Sequence, residues 1–343
     1  MKKTVCLILA LALIICTFAA CGGSESVLPG NESAANNKKL SIVTTIFPEY
    51  DWVKQLLGDN TENADITMLL DNGVDLHSYQ PTAEDIMKIS TCDLFIYAGG
   101  ESDEWVEDAL KEAVNDQMIV IDLLDVLGDS VKAEEIVEGM EHEHEHEDSH
   151  DEAEEHDHIH EEEEEETDEH VWLSLKNAVV ICKSISDSLC TLDPDNSQLY
   201  KSNLEAYKAK LSDLDKRYSD AVSKGKTKTL LFGDRFPFRY LTDDYGLDYY
   251  AAFAGCSAES EASFETITFL AGKCDELELK YVMTIESSDG KIAQTIINNT
   301  KTKDQQILKL DSMQSATMKD VQSGTTYLSV MESNLNVLET VLS

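Results

Sequence analysis

Residues 196–224, NSQLYKSNLEAYKAKLSDLDKRYSDAVSK, decide how this chain is organised. Tyr200, Leu204, Tyr207, Leu211, Leu214, Tyr218 and Ala221 recur in steps of four and three, so one helix face carries a continuous apolar seam. Asp193-Pro194-Asp195 breaks the preceding helical pattern, and Gly225 closes this one. At 1.5 Å per residue the helix would be on the order of 40 Å long. Such a seam suits either a coiled-coil partner or a strut packed across two domains of the same chain.

The same pattern stands on both sides of it. Upstream, strand-like runs at 40–46 (LSIVTTI), 65–70, 93–97 (DLFIY) and 118–121 (MIVI) alternate with helical patterns at 50–57, 83–89 and 105–113, and a further helix is expected at 172–189. Downstream, strands at 229–232 (TLLF), 247–253, 281–285 (YVMTI) and 306–310 alternate with helices at 236–245, 264–277, 292–299 and 329–342. This alternation predicts parallel α/β sheets. The fold expected is therefore two Rossmann-like α/β lobes, 39–190 and 226–343, bridged by one rigid helix over 195–225. Length agrees, since 343 residues exceed one ordinary domain. In open sheets of this kind ligands bind beyond the carboxyl ends of the strands.

The formal charge is −40. Residues 141–169 hold 18 acidic residues and no Lys or Arg, which leaves −22 on the rest. Nucleic acid is excluded as a partner, because binding it needs a basic face that releases counterions. An acidic surface suits cations. The N-terminus reads as a targeting segment: Lys2 and Lys3 precede an apolar run at 5–18 that is short for a membrane span. Thr17-Phe18-Ala19-Ala20-Cys21 resembles a bacterial lipobox, with Phe18 where an aliphatic residue is usual. Residues 1–20 are then a signal peptide and Cys21 a lipidated anchor; ordinary cleavage after Ala20 would leave Cys21 free. Residues 21–38 read as a flexible tether. Among the remaining cysteines, Cys182 and Cys190 are too far apart along one helix to bridge, and Cys256 with Cys274 is the only pairing to entertain. Thiolate metal ligation is not indicated by spacing.

All nine histidines fall in three places. His77 stands alone in Asp75-Leu76-His77-Ser78-Tyr79-Gln80-Pro81. His170 closes Asp168-Glu169-His170-Val171-Trp172-Leu173-Ser174. The other seven, His142, His144, His146, His150, His156, His158 and His160, lie in the acidic tract, which is expected to be a disordered loop offering weak, multivalent cation binding. Imidazole is the commonest ligand for transition metals, so the distribution suggests metal capture.

These residues resemble the zinc/manganese-binding solute-binding lipoproteins of bacterial metal ABC transporters, of the cluster A-I type, over nearly all of the mature chain. Residues 42–58 (IVTTIFPEYDWVKQLLG) resemble that family's opening strand and helix. Residues 73–81 resemble its Gly-x-Asp-Pro-His-x-Tyr-x-Pro segment, with Leu76 for Pro and His77 as the first metal ligand. Residues 168–174 resemble the Asp-Pro-His-x-Trp-Leu segment with His170 as the second. An acidic His-rich loop just before it is typical of the zinc-preferring branch. The resemblance implies two α/β lobes with a long bridging helix and a metal site in the interlobe crevice. Its third ligand position, a His or Glu after the first strand of the second lobe, falls on Gly233 in Leu231-Phe232-Gly233-Asp234-Arg235, so Asp234 or water would have to substitute. Its fourth, a carboxylate after the last strand, falls on Asp311, with Glu286 within reach of the same crevice.

The expected metal set is thus His77, His170, Asp311 and Glu286, holding Zn²⁺ or alternatively Mn²⁺. Arg235 and Arg239 are expected to pair with carboxylates. The function implied is an extracytoplasmic receptor, not an enzyme and expected to be a monomer. It would be anchored to the membrane by Cys21 and would deliver metal to an ABC permease with its ATPase; the chain carries no phosphate loop of its own. A zinc-dependent hydrolase, or a surface metal buffer or adhesin uncoupled from transport, are the competing readings.

Overall fold

The computed structural model describes residues 39–140, 166–257 and 261–343. The signal segment, Cys21, the tether to residue 38 and the seven tract histidines lie outside the described residues. The first lobe is a parallel sheet of β1 (Leu40–Thr44), β2 (Ala64–Met68), β3 (Leu94–Tyr97) and β4 (Ile119–Asp122), in the order β2-β1-β3-β4. Around it lie α1 (Phe47–Leu57), α2 (Ala83–Thr91), α3 (Trp105–Lys111), α4 (Leu123–Leu127) and α5 (Leu175–Leu192). The bridging helix α6 (Ser197–Lys224) follows. The second lobe repeats the plan with β5 (Thr229–Arg235), β6 (Asp248–Phe253), β7 (Tyr281–Ile285) and β8 (Gln306–Leu310), in the order β6-β5-β7-β8. Its helices are α7 (Arg239–Tyr245), α8 (Phe264–Glu276), α9 (Lys291–Asn299), α10 (Met318–Gln322) and α11 (Tyr327–Val341). No helix among the described residues is long and apolar enough to cross a membrane.

The apolar seam of the bridging helix finds its partners inside the chain. Tyr200, Leu204, Tyr207, Leu211, Leu214, Tyr218 and Val222 are buried against α1, α5 and α11. Val222 rather than Ala221 ends the stripe. The strut reading therefore holds, and no coiled-coil partner is needed to cover that face. Two five-residue helices, α4 and α10, are too short to show a period, and each is set by its cap instead. The Asp122 carboxylate accepts the Leu124 and Asp125 N–H groups, while Thr317 and Asp320 cap one another's backbone. Helix α1 starts at Phe47, three residues before the expected 50. Pro48 fits its first turn, and the Glu49 carboxylate folds back onto the N–H groups of Thr45 and Ile46.

One apolar core runs through both lobes by way of α6, and a smaller one fills the outer side of the second lobe. Polar links add to it. The Trp172 indole N–H donates to the Ser312 carbonyl at 2.8 Å, and the Tyr327 hydroxyl donates to the Trp172 carbonyl at 2.7 Å. The Met318 N–H donates to the Asp71 carbonyl at 2.8 Å. The carboxyl ends of the two sheets thus face one crevice.

Strand β5 departs from expectation in a way that matters for the site. It runs to Arg235, three residues past the expected end, and its register against β6 shifts between Phe232 and Arg235. Such an irregularity re-aims the side chains after it. Gly233 consequently lies against α9, where a Cβ would stand 2.5 Å from the Ala293 Cα. Gly233 does not face the crevice, and the side chain that β5 delivers there is Arg235.

Candidate metal centre

His77 sits in a short 3₁₀ turn, Leu76–Ser78, after β2. The Asp75 carboxylate accepts the His77 N–H at 3.1 Å and fixes the turn. His77 Nδ1 is 2.7 Å from the Ser102 hydroxyl, which follows β3. His170 lies just before the Val171–Leu173 turn that leads into α5. One Asp168 carboxylate oxygen accepts both the His170 backbone N–H and Nδ1, each at 2.9 Å. Both rings are therefore held at Nδ1 and turn Nε2 inward, where the two Nε2 atoms stand 3.2 Å apart. Fixing one ring nitrogen so that the other faces a metal is the usual support for histidine ligands. Two nitrogens about 2.0–2.1 Å from a tetrahedral zinc lie roughly 3.3 Å from one another, so the observed spacing fits.

The second lobe brings different groups. The Cys256 thiol, three residues past β6, lies within 4.8 Å of a ring nitrogen of each histidine. The Gln314 amide, after β8, meets both Asp75 and His170; with its oxygen toward His170 it accepts from Nε2 at 2.7 Å and donates to Asp75 at 3.1 Å. Arg235 pairs with Asp75 at 2.7 Å, and Arg239 with Glu135 at 2.7 Å, as expected of both arginines. A cavity of about 230 Å³ opens beside His77 and is lined by it with Glu101, Ser102, Glu166, Thr167, Glu169 and Cys256.

Electrostatics divide the two rings. Burial, and then the neighbouring His170, hold the His77 pKa down to about 3, so that ring is neutral. Burial also opposes charge on His170, but the Asp168 carboxylate, with Glu169 and Glu134 behind it, outweighs this and raises its pKa. Burial raises Glu169, whose Oε1 accepts the Ser102 N–H at 2.7 Å. Its Oε2 is buried without a hydrogen-bond partner, 3.7 Å from His77 Nδ1. Burial, then Glu134 and Glu169, push the Cys256 thiol up. The pocket thus pairs one neutral imidazole with one that the surrounding carboxylates favour charging, amid surplus negative charge, which suits a cation.

Of the four expected ligands the structure brings two together, His77 and His170. Asp311 and Glu286 do not join their cluster. The Glu286 carboxylate instead accepts the Ser312 N–H at 2.8 Å and both the Ser312 and Ser315 hydroxyls at 3.0 Å, organising the loop after β8. Asp311 accepts the Met313 N–H at 2.8 Å, and burial followed by the Glu286 charge raises it to about 6. Asp234 accepts the Arg235 and Ile285 N–H groups at the sheet end. Cys256 and Cys274 are both free thiols rather than a bridge. Sequence reasoning set cysteine ligation aside and did not foresee that Cys256, Gln314 and Ser102 would stand beside the two histidines. The one available signal was Gly255-Cys256 directly after a strand of the second lobe. Spacing rules look for paired cysteines and pass over that signal.

A family described as zinc-uptake complex component A, periplasmic, matches residues 42–341. The high-affinity zinc uptake system protein ZnuA of Bacillus subtilis is 31% identical over 94% of this chain and 92% of its own length. The zinc-binding protein AdcA of Streptococcus pyogenes is 28% identical over 98% of this chain, which spans about three-fifths of that relative's length (61%). The crystal structure of the Zn(II)-bound ZnuA-like domain of Streptococcus pneumoniae AdcA superposes with a TM-score of 0.67 at 28% identity, covering 89% of this chain and 99% of that one. The chain belongs to the zinc-uptake component A family.

Proposed function

We propose that this member of the family is an extracytoplasmic receptor that captures Zn²⁺, with Mn²⁺ the alternative, between its lobes and passes it to a membrane permease driven by a partner ATPase. The observation that carries the reading is the pair of buried imidazoles whose Nε2 atoms stand 3.2 Å apart at the interlobe crevice. A nitrogen-rich donor set ranks Zn²⁺ above Mn²⁺ at equal supply. We read Cys21 as the lipid anchor, residues 1–20 as the signal peptide and 21–38 as the tether. No chemical step is assigned to the site: metal is cargo, and the chain is a binding protein.

The histidine tract is read as a low-affinity collector. Support comes from its roots. Glu166 and Thr167, which follow the tract histidines, line the cavity, held there by the bridge of Thr167 to Ala133 and by the Glu134 N–H donating to the Glu166 carbonyl at 2.7 Å. The shared core supports small lobe shifts on metal release rather than wide hinge closure. Metal must also compete with the proton that the raised pKa favours on His170, so affinity should fall as pH drops.

The test is zinc and manganese titration calorimetry on the chain from Gly22, beside a His77→Ala/His170→Ala variant. One tight site in the first protein, weakened on the order of 10³-fold (about 4 kcal/mol) in the second, is expected. Equal binding by the two would sink the receptor reading. Deleting 141–166 should lower the stoichiometry and leave the tight site intact.

A further inference from the structure

We infer that Cys256 is the third metal donor of this crevice, so that the site presents two imidazoles and a thiolate and favours zinc-like cations over manganese. The inference rests on the receptor reading and deepens it. Cys256 is the group that completes a ligand cluster with the two histidines among the described residues. Glu169 also stands close, but its unpartnered oxygen addresses His77 Nδ1, the back of the ring rather than the inward Nε2, and the Gln314 amide oxygen at His170 Nε2 is an uncharged donor already shared with Asp75 through its NH₂. Arg235, the crevice-facing residue of β5, is a cation held on Asp75 and has no lone pair to give.

The backbone around Cys256 is built for close approach. A Cβ on Gly255 would stand 3.1 Å from His170 Cε1 and 3.0 Å from the Phe236 carbonyl, so glycine lets this loop pass against the imidazole. The Cys256 N–H donates to Glu134 Oε1 at 2.8 Å, and Glu134 itself lies on the chain pairing that leads to His170. The loop is thereby tied to the lobe that carries both histidines. The thiol is half-buried at the cavity wall, whereas Cys92, Cys182 and Cys274 are buried elsewhere in the lobes.

When the cation enters, the S–H proton leaves to solvent as the sulfur–metal bond forms, since a coordinating thiol is deprotonated outright. A soft thiolate selects zinc over the harder manganese.

Cobalt(II) reports the difference. Titrated into the purified mature chain, it should show a near-ultraviolet sulfur-to-cobalt charge-transfer band. Cys256→Ser should lose that band, bind zinc at least about tenfold more weakly and bind manganese little changed. Cobalt bound through His77 and His170 without the band would overturn the thiolate and leave the receptor standing. Cobalt bound equally by the His77→Ala/His170→Ala variant would overturn both. Alkylation needs no variant: bound zinc should shield Cys256 from iodoacetamide as read by peptide mapping, and equal labelling with and without zinc overturns the proposal.

Discussion

The two lobes share one strand order and divide the site unequally. His77 follows the second strand of the first sheet, and Cys256 follows the second strand of the second. The first lobe gives two imidazoles, each fixed at Nδ1 by a group of its own lobe, Ser102 or Asp168. The second lobe gives a thiol, an amide and a guanidinium already paired with Asp75, while its carboxylate Glu286 is spent on its own loop. A preformed half-site thus faces a half whose chemistry can vary without disturbing the first. On the proposed reading, the first half would make the place a metal site and the second would decide which cation suits it.

The sharpest break in this comparison concerns the second lobe. If Gly233 were its ligand place, Gly233→His should strengthen zinc binding. We expect collapse instead, because the new Cβ would meet the Ala293 backbone at 2.5–2.7 Å. Urea unfolding should show a loss of about 3 kcal/mol or more. Arg235→His should keep the fold and recover part of the zinc affinity lost in Cys256→Ser. A folded, tighter-binding Gly233→His would return position 233 to the crevice as a ligand place.

The second prediction probes the first lobe's reserve of buried charge. Asp103 is 3% exposed directly behind Ser102, and one carboxylate oxygen has no hydrogen-bond partner. Burial, and then the Glu169 charge working against the Gly99 N–H bond, raises it to about 7. A carboxyl whose folded pKa lies above its unfolded value favours the fold when protonated. Its stabilisation is full below about pH 4 and is lost as pH rises toward 7. Asp103→Asn should therefore gain about 2–4 kcal/mol at pH 8 and almost nothing at pH 4. Equal gains at both pH values in thermal melts would show that charge is not the cause.

What was legible in the chain follows the same division. The lobes and strut were readable because β-branched runs and the Tyr200-to-Tyr218 seam are local patterns that burial enforces. That His77 and His170 belong to one place was readable because each sits in a short ordered motif. The second lobe's half was not, because it hangs on a three-residue detail: whether β5 stops at Phe232 or continues through an irregular register to Arg235. Side chains alternate along a strand, so that detail changes which residue faces the crevice. Cys256 and Gln314 reach the site through loops that carry no period at all.

The third prediction weighs the locks of the first lobe. Asp168 supports His170 through one oxygen that accepts both its ring and backbone N–H. Asp168→Asn keeps the shape and removes the charge that makes the ring basic. Zinc affinity should fall about 10–100-fold, the usual cost of a lost supporting carboxylate. Ser102→Ala should move it in the same direction by less. Unchanged affinity would mean that the half-site is not tuned from behind.

The smallest effect tests the join between the halves. Gly255→Ala adds a Cβ at 3.0–3.1 Å from the Phe236 carbonyl and the His170 ring. Neither neighbour is a flexible chain end: the carbonyl belongs to the backbone, and the ring is tied to Asp168. The loop must retreat by a few tenths of an ångström and carry the Cys256 sulfur with it. Zinc affinity should drop severalfold, about 1 kcal/mol, whereas manganese, if it ignores the sulfur, should hardly respond. Equal losses for both ions would place the damage in His170 rather than in the approach of the thiol.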